Sequence, residues 1–267
     1  MINRYASLRQ GLVGAWCPSV QRCGSGFTLP DLSGYGNNGS LVNMDPGTDW
    51  VASGSGLALD FDGSNDYINI AINLSGVITS KQYTVCCWIN TSSTNSNTYP
   101  FSLGSTASDT PIVGFRIDPG GNGRIIALLR DDAFNSQLPG NDPILVNNAI
   151  WNNIVVVASG SNAQLYTNAK TNGSSVSISS LGATTINRAT IGALGRTSIA
   201  AYYSGLCDDI RIYNRVLTPT EIQQLYTGGR GVGLAQERIK HRRKTTAAAA
   251  FKAAWARRQQ HIGSGVY

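Results

Sequence analysis

Residues 205–226 read GLCDDIRIYNRVLTPTEIQQLY and carry the most decisive information about the fold. Ser204 to Tyr213 is a strongly apolar, β-branched strand. Its character changes abruptly at Thr218-Pro219-Thr220-Glu221. Thr218 is placed as a helix N-cap, Pro219 fits the first helical position, and Glu221 stands three residues on to complete a capping box. Ile222 and Leu225 or Tyr226 then pack one face of a short helix, which Gly228-Gly229 stops.

Working back from that strand, short apolar runs recur at intervals of roughly 8–12 residues with turn chemistry between them. Gly11 to Trp16 is a first strand, and Asp31 to Gly39 (DLSGYGNNG) is a glycine-rich loop. Leu57 to Ile70 (LALDFDGSNDYINI) reads as a hairpin around Gly63-Ser64-Asn65. Tyr83 to Asn90 (YTVCCWIN) suits the middle of a sheet. Phe101 to Leu103, Val113 to Ile117 and Arg124 to Leu129 are shorter strands. Asn153 to Ser159 and Ala163 to Thr167 form a pair around Gly160-Ser161-Asn162, followed by Ser175 to Ser179 and Thr190 to Gly192. Gly192 to Gly195 reads as a turn. This spacing predicts an antiparallel sandwich or jelly roll.

Composition agrees. Charged residues are 13% of the 267-residue chain and hydrophobic ones 42%. That is enough apolar material for one large β domain, with few of the residues that build long helices. Charge is divided sharply. Residues 1–227 hold 12 of the 21 Lys+Arg and 14 of the 15 Asp+Glu, a net −2. Residues 228–267 hold nine basic residues against Glu237 alone, a net +8. The chain therefore divides into an N-terminal arm (1–10), a β domain (11–227) and a basic tail (228–267). The tail is rich in Ala, Lys and Arg from Leu234 to Gln260 and predicts a long helix. Phe251 and Trp255 are four apart and share a face. Five cysteines (Cys17, Cys23, Cys86, Cys87, Cys207) show no metal spacing. They read as small buried hydrophobes, with a Cys17–Cys23 bridge as the alternative. The start of the chain has no apolar signal region, and no window is long enough to span a bilayer.

These segments, in this order, resemble the laminin G-like domain of the concanavalin A-like lectin/glucanase superfamily. GLVGAW (11–16), DLSGYGNNG (31–39), LDFDGSNDYINI (59–70), YTVCCWIN (83–90), Trp151 with LYTN (165–168) and the closing run (205–226) carry the likeness across roughly residues 11–227. The resemblance implies an all-β fold, a two-sheet antiparallel jelly-roll sandwich with a short capping helix, and often a role in carbohydrate or protein recognition. It also implies a structural calcium at Asp208, with Asp31 opening the partner loop; otherwise Asp208 bonds a turn. No cofactor is assigned beyond that calcium candidate.

The same resemblance bears on catalysis. Hydrolases of this fold place two Glu around an Asp as ExDxxE, and no such triplet occurs here. Glu221 belongs to the capping box and Glu237 to the tail. Both histidines, His241 and His261, lie in the tail. Asp60, Asp62 and Asp66 alternate near a turn, where Asp is common for its own reasons. The chain reads as non-catalytic.

A glycan site would use aromatic faces in or beside turns, which selects Trp50, Tyr67, Tyr99, Tyr202 and Tyr203. Trp16, Trp88 and Trp151 are assigned to the core. The tail is read as docking onto a protein partner through Arg242, Arg243, Lys244, Phe251, Trp255, Arg257 and Arg258, with nucleic-acid binding as an alternative. The expectation for the whole is a virion surface component, a capsid decoration or fibre protein present in many copies, assembled in a host cytoplasm. The alternative is a glycan-binding adhesion module of a bacterial surface.

Overall fold

A computed structural model describes residues 5–20, 26–54, 56–118, 120, 122–140 and 144–234. Among them two antiparallel sheets stack face to face. The first runs Lys170–Ser177, Asn162–Thr167, Asn152–Ser159, Gln82–Asn90, Ser204–Tyr213, Gly56–Asp62, Trp50–Ser53, and Leu12–Trp16 also pairs with Ser204–Tyr213. The second runs Ser136–Gln137, Ile125–Arg130, Ile112–Ile117, Phe101–Gly104, Arg188–Ile191, Tyr67–Ala71, Gly39–Val42, Thr28–Leu29.

Period-two alternation explains the packing. Along Tyr67–Ala71, Ile68 and Ile70 are fully buried while Tyr67, Asn69 and Ala71 turn outward. Phe61, Val85, Cys87, Ile89, Phe101, Phe115, Ile154 and Ile212 fill the space between the sheets. Each such aliphatic or aromatic side chain contributes about 1.5–3 kcal/mol by leaving water.

The run from Leu57 to Ile70 is not a hairpin. Gly56–Asp62 belongs to the first sheet and Tyr67–Ala71 to the second, so the turn between them is a corner joining the layers. Asp62 and Asp66 hold that corner: Asp62 Oδ1 accepts from Ser64 N at 2.7 Å, and Asp66 Oδ2 accepts from Asp62 N at 3.1 Å. By contrast Asn152–Ser159 and Asn162–Thr167 pair directly, as the sequence predicts.

A third layer covers the far side of the first sheet. The helix Pro219–Gly228 starts with the predicted capping box: Thr218 Oγ1 accepts from Glu221 N, and Glu221 Oε2 accepts from Thr218 N. Ile222 and Leu225 pack on Cys86, Val155, Val157 and Tyr213, and Tyr226 stacks on Trp88 with ring centroids 6.0 Å apart. The 3-10 turn Ala6–Arg9 adds Leu8, and Tyr213 Oη donates to Leu8 O at 3.0 Å.

The domain is thus wider than predicted. Leu8, Val232 and Leu234 are buried in this layer, so residues 5–10 and 228–234 belong to the body, not to an arm and a tail. The helix predicted from Leu234 to Gln260 falls, past Leu234, outside the described residues. So do the docking residues Arg242, Arg243, Lys244, Phe251, Trp255, Arg257 and Arg258. Cys23 lies outside them as well. Cys17, Cys86, Cys87 and Cys207 are buried. No helix among the described residues is long and apolar enough to cross a membrane.

Candidate functional site

Residues that turn away from the core on the second sheet line up across its outer face. The registers set Ser40, Asn69, Thr190, Ser102 and Gly114 side by side. This row is small and polar where an exposed sheet face usually carries long charged side chains.

A small hairpin, Leu194–Gly195 paired with Ile199–Ala200, lies over the middle of that row. The residues expected to form a simple turn at 192–195 are its first arm. Glycine at two positions lets it sit directly on the sheet. A Cβ on Gly195 would run into Thr190 Oγ1, and one on Gly104 would run into Gly195 O. Ser102 Oγ bonds both ways, donating to Ala193 O at 2.9 Å and accepting from Gly195 N at 2.9 Å. Tyr99 N donates to Ala201 O and Tyr203 N to Gly192 O, fixing both ends.

The hairpin divides the face. On one side Tyr67 and Tyr202, both half-buried, meet with centroids 6.4 Å apart and planes tilted 47°. Asn69 stands two residues along the strand from Tyr67, and its Oδ1 is buried without a hydrogen-bond partner among the described residues. Half-exposed rings suit a sugar, which offers C–H faces.

On the other side Tyr99, Ile112, Leu128 and Leu194 form a small apolar cluster. Arg116 and Arg130 project outward from the sheet around it, and Arg196 comes from the hairpin. Burial raises the Tyr99 phenol, against the pull of the guanidinium groups of Arg116, Arg130 and Arg196.

Of the five predicted sugar-binding aromatics, then, the structure brings together Tyr67 and Tyr202. The other three are corrected. Trp50 packs in the core between the sheets. Tyr99 is 2% exposed beneath the hairpin. Tyr203 is 1% exposed, with its hydroxyl given to Asn90 O at 3.3 Å. Proximity to a turn selects all five, but these three turns fold onto the sheets. Phe27, Tyr35 and Phe134 are exposed and lie outside the predicted set, although Tyr35 sits in the glycine-rich loop 31–39 and meets the same criterion.

An open groove of about 420 Å³ lies nearby, lined by Asn90, Thr91, Ser93, Ala149, Ser204 and Gly205. Its wall is mostly hydroxyl and amide. Ser204 is two residues on from Tyr202, so the groove and the tyrosine pair adjoin along the chain.

The calcium assignment is also corrected. Strand alternation would put Asp208 and Asp209 on opposite faces. A bulge between Asp208 and Arg211, with Asp209 at φ +49°, brings both carboxylates toward residues 230–232. Asp208 Oδ2 accepts from Arg230 Nη1 at 3.0 Å, and its Oδ1 from Asp209 N at 2.8 Å and Ser19 N at 3.2 Å. Burial and the charge of Asp209 push its carboxyl up to about 6, against Ser19 and Arg230. The Arg230 guanidinium also lies 4.0 Å over the Trp151 ring and donates to Ser53 O. Asp31 spends both oxygens on its own loop and the first strand, accepting from Ala15 N, Ser33 N, Ser33 Oγ and Asn37 N. A cation at Asp208 would meet the guanidinium already there, so these residues do not fit calcium. Among the described residues no three His, Cys, Asp or Glu gather to hold a metal.

The two stacked sheets and their partly covered outer face define a lectin-like sandwich. The profile of the concanavalin A-like lectin/glucanases superfamily matches residues 62–223, more than half of the chain, and the chain belongs to that superfamily. No curated protein matches it. Solved structures similar in fold include the binding domain of Paraclostridial Mosquitocidal Protein 1 (TM-score 0.62, 15% identity, 83% of this chain and 53% of that one). The receptor binding domain of botulinum neurotoxin D is similar to the same degree (TM-score 0.61, 15% identity, 83% and 53%). Domain 4 of AbnA, an extracellular arabinanase from Geobacillus stearothermophilus solved with arabinotriose, is the third (TM-score 0.60, 17% identity, 80% and 97%). The chain spans about half the length of the toxin domains.

Proposed function

We propose that this protein is a non-catalytic recognition module that binds a saccharide on the outer face of the second sheet. The observation that carries the reading is the half-exposed Tyr67–Tyr202 pair on that face. The similar folds are binding domains, one of them solved with an arabinose oligomer, which supports a sugar as ligand. Glu221, the sole glutamate of the described residues, is used by the capping box and by Arg215, which supports the absence of acid–base chemistry. A glycan array on the full chain tests this. Binding that is competed by free sugar and lost in Tyr67→Ala and Tyr202→Ala supports it; silence on the array rejects it.

The finer assignment is to the surface of a virus particle, in many copies, with residues 235–267 as the anchor. The contrast between a body (1–234) of net −1 and a terminal segment (235–267) of net +7 favours an anchored module over a free one. A chain ending at Leu234 should keep its fold and no longer join the assembly. Normal incorporation of that truncation would reject the segment as the anchor, absence of the full chain from purified particles would favour the bacterial-surface alternative, and salt-dependent DNA retention lost with the segment would favour nucleic acid.

A further inference from the structure

Charge on the body is unevenly placed. Residues 1–227 have a small net negative charge, yet five of their 12 Lys+Arg fall on the outer face of the second sheet or the hairpin over it. Arg116, Arg130 and Arg188 occupy outward positions on their strands and Arg124 immediately precedes one, because Ile117, Ile125, Leu129 and Ala189 point into the core. Arg196 comes from the hairpin, whose carbonyl at Arg196 accepts from Arg188 Nη1 at 2.6 Å.

Among the described residues two acids answer them, and Arg130 also donates Nε to Thr110 O and Nη2 to Asp109 O. Asp109 Oδ1 lies 3.8 Å from Arg196 Nε, beyond hydrogen-bond reach, and is already bonded to Thr197 N and Oγ1. Asp118 Oδ1 accepts from Gly120 N. The Nε atoms of Arg116, Arg124 and Arg196 are buried without a hydrogen-bond partner among the described residues. Arg130 is held below its ordinary pKa, first by burial and then by the charges of Arg196 and Arg116. Like charges crowded beside an apolar floor are costly unless an anion sits among them.

We propose that Arg116, Arg130 and Arg196 bind the carboxylate or sulfate of an acidic saccharide, while Tyr67 and Tyr202, across the hairpin, take its uncharged part. The inference rests on the saccharide reading above and names the class of sugar. Guanidinium forks suit planar carboxylates and sulfates better than hydroxyls, so the charged group sets the preference.

Isothermal titration of the full chain tests it with matched pairs: oligogalacturonate against its neutral methyl ester, and a sulfated galactan oligosaccharide against the desulfated one. At least one charged member should bind tenfold or more tighter than its neutral partner. The pair that responds separates carboxylate from sulfate. Arg116→Gln with Arg196→Gln should remove that advantage, whereas Lys170→Gln on the first sheet should leave it intact. If the double variant fails to fold, the single variants are read instead. An advantage that survives the arginine changes assigns it to the basic segment and overturns the proposal. Equal affinity for charged and neutral forms, or binding of neither while neutral glycans bind through Tyr67 and Tyr202, also overturns it but spares the saccharide reading. Absence of any glycan binding overturns both.

Discussion

Asp209→Ala should be among the most damaging single changes in the domain. The Asp209–Arg211 pair is buried, with side chains 2% and 1% exposed, and its bonds are 2.6 and 2.8 Å. Burial alone would lower the Arg211 pKa, but Asp209 overrides it and holds the guanidinium firmly charged. The same carboxylate accepts from Gly231 N at 2.7 Å, and Arg211 Nη2 donates to Val232 O at 2.8 Å. Removing the carboxylate leaves a buried cation uncompensated, which costs about 3–5 kcal/mol. It also strands the Gly231 N–H, for about 1 kcal/mol more. A loss of about 4–6 kcal/mol is a large share of the roughly 5–15 kcal/mol typical of a domain. Urea unfolding of the full chain, followed by tryptophan fluorescence, measures it. Asp209→Leu with Arg211→Met removes both charges and should recover most of the loss, because neither partner is then left behind. A single variant within about 1 kcal/mol of wild type, or a double variant as unstable as the single, would refute this reasoning.

Other consequences are as specific. Glu221→Gln should cost about 1–2 kcal/mol at neutral pH, since it weakens the two-bond pair with Arg215 and the helix cap. Arg215 holds the Glu221 carboxyl below its ordinary value of 4.5, so its contribution is complete above that pH and lost as pH falls through the folded value. The wild type should therefore lose stability on acidification more steeply than Glu221→Gln, a difference that urea midpoints across roughly pH 2.5–7 would reveal or exclude. Gly195→Ala should lift the hairpin from Thr190 at a cost of about 1–3 kcal/mol, seen as faster amide exchange at residue 195 and at Tyr99, whose N–H groups bond Ser102 Oγ and Ala201 O; unchanged exchange would mean the close approach is relieved elsewhere.

Much of the scaffold is legible in residue order. The strand Ser204–Tyr213 and the Thr218–Glu221 cap announce themselves, because burial periodicity and capping chemistry are local. What escapes is non-local. Leu57 to Ile70 has every mark of a hairpin, yet the chain passes between layers at Gly63, and nothing local tells a corner from a hairpin. Edge strands such as Thr28–Leu29 and Ser136–Gln137 are too short for a period to register. The hairpin over the outer face is hidden because Gly192 to Gly195 reads as turn chemistry either way. Asp208 looks like a metal ligand because its partner, Arg230, lies 22 residues on and beyond the predicted domain edge. For the same reason Tyr99 and Tyr203 cannot be told from Tyr67 and Tyr202 by their neighbours alone.

The tyrosine pair is where the functional account stands or falls. Take the tightest ligand from a glycan array and titrate it into wild type and into Tyr67→Ala with Tyr202→Ala, after circular dichroism has matched the two folds. The account predicts a heat of binding in the wild type and an affinity at least tenfold weaker in the variant, roughly the contribution of two stacking rings. Unchanged affinity in a folded variant would place the ligand elsewhere and contradict it.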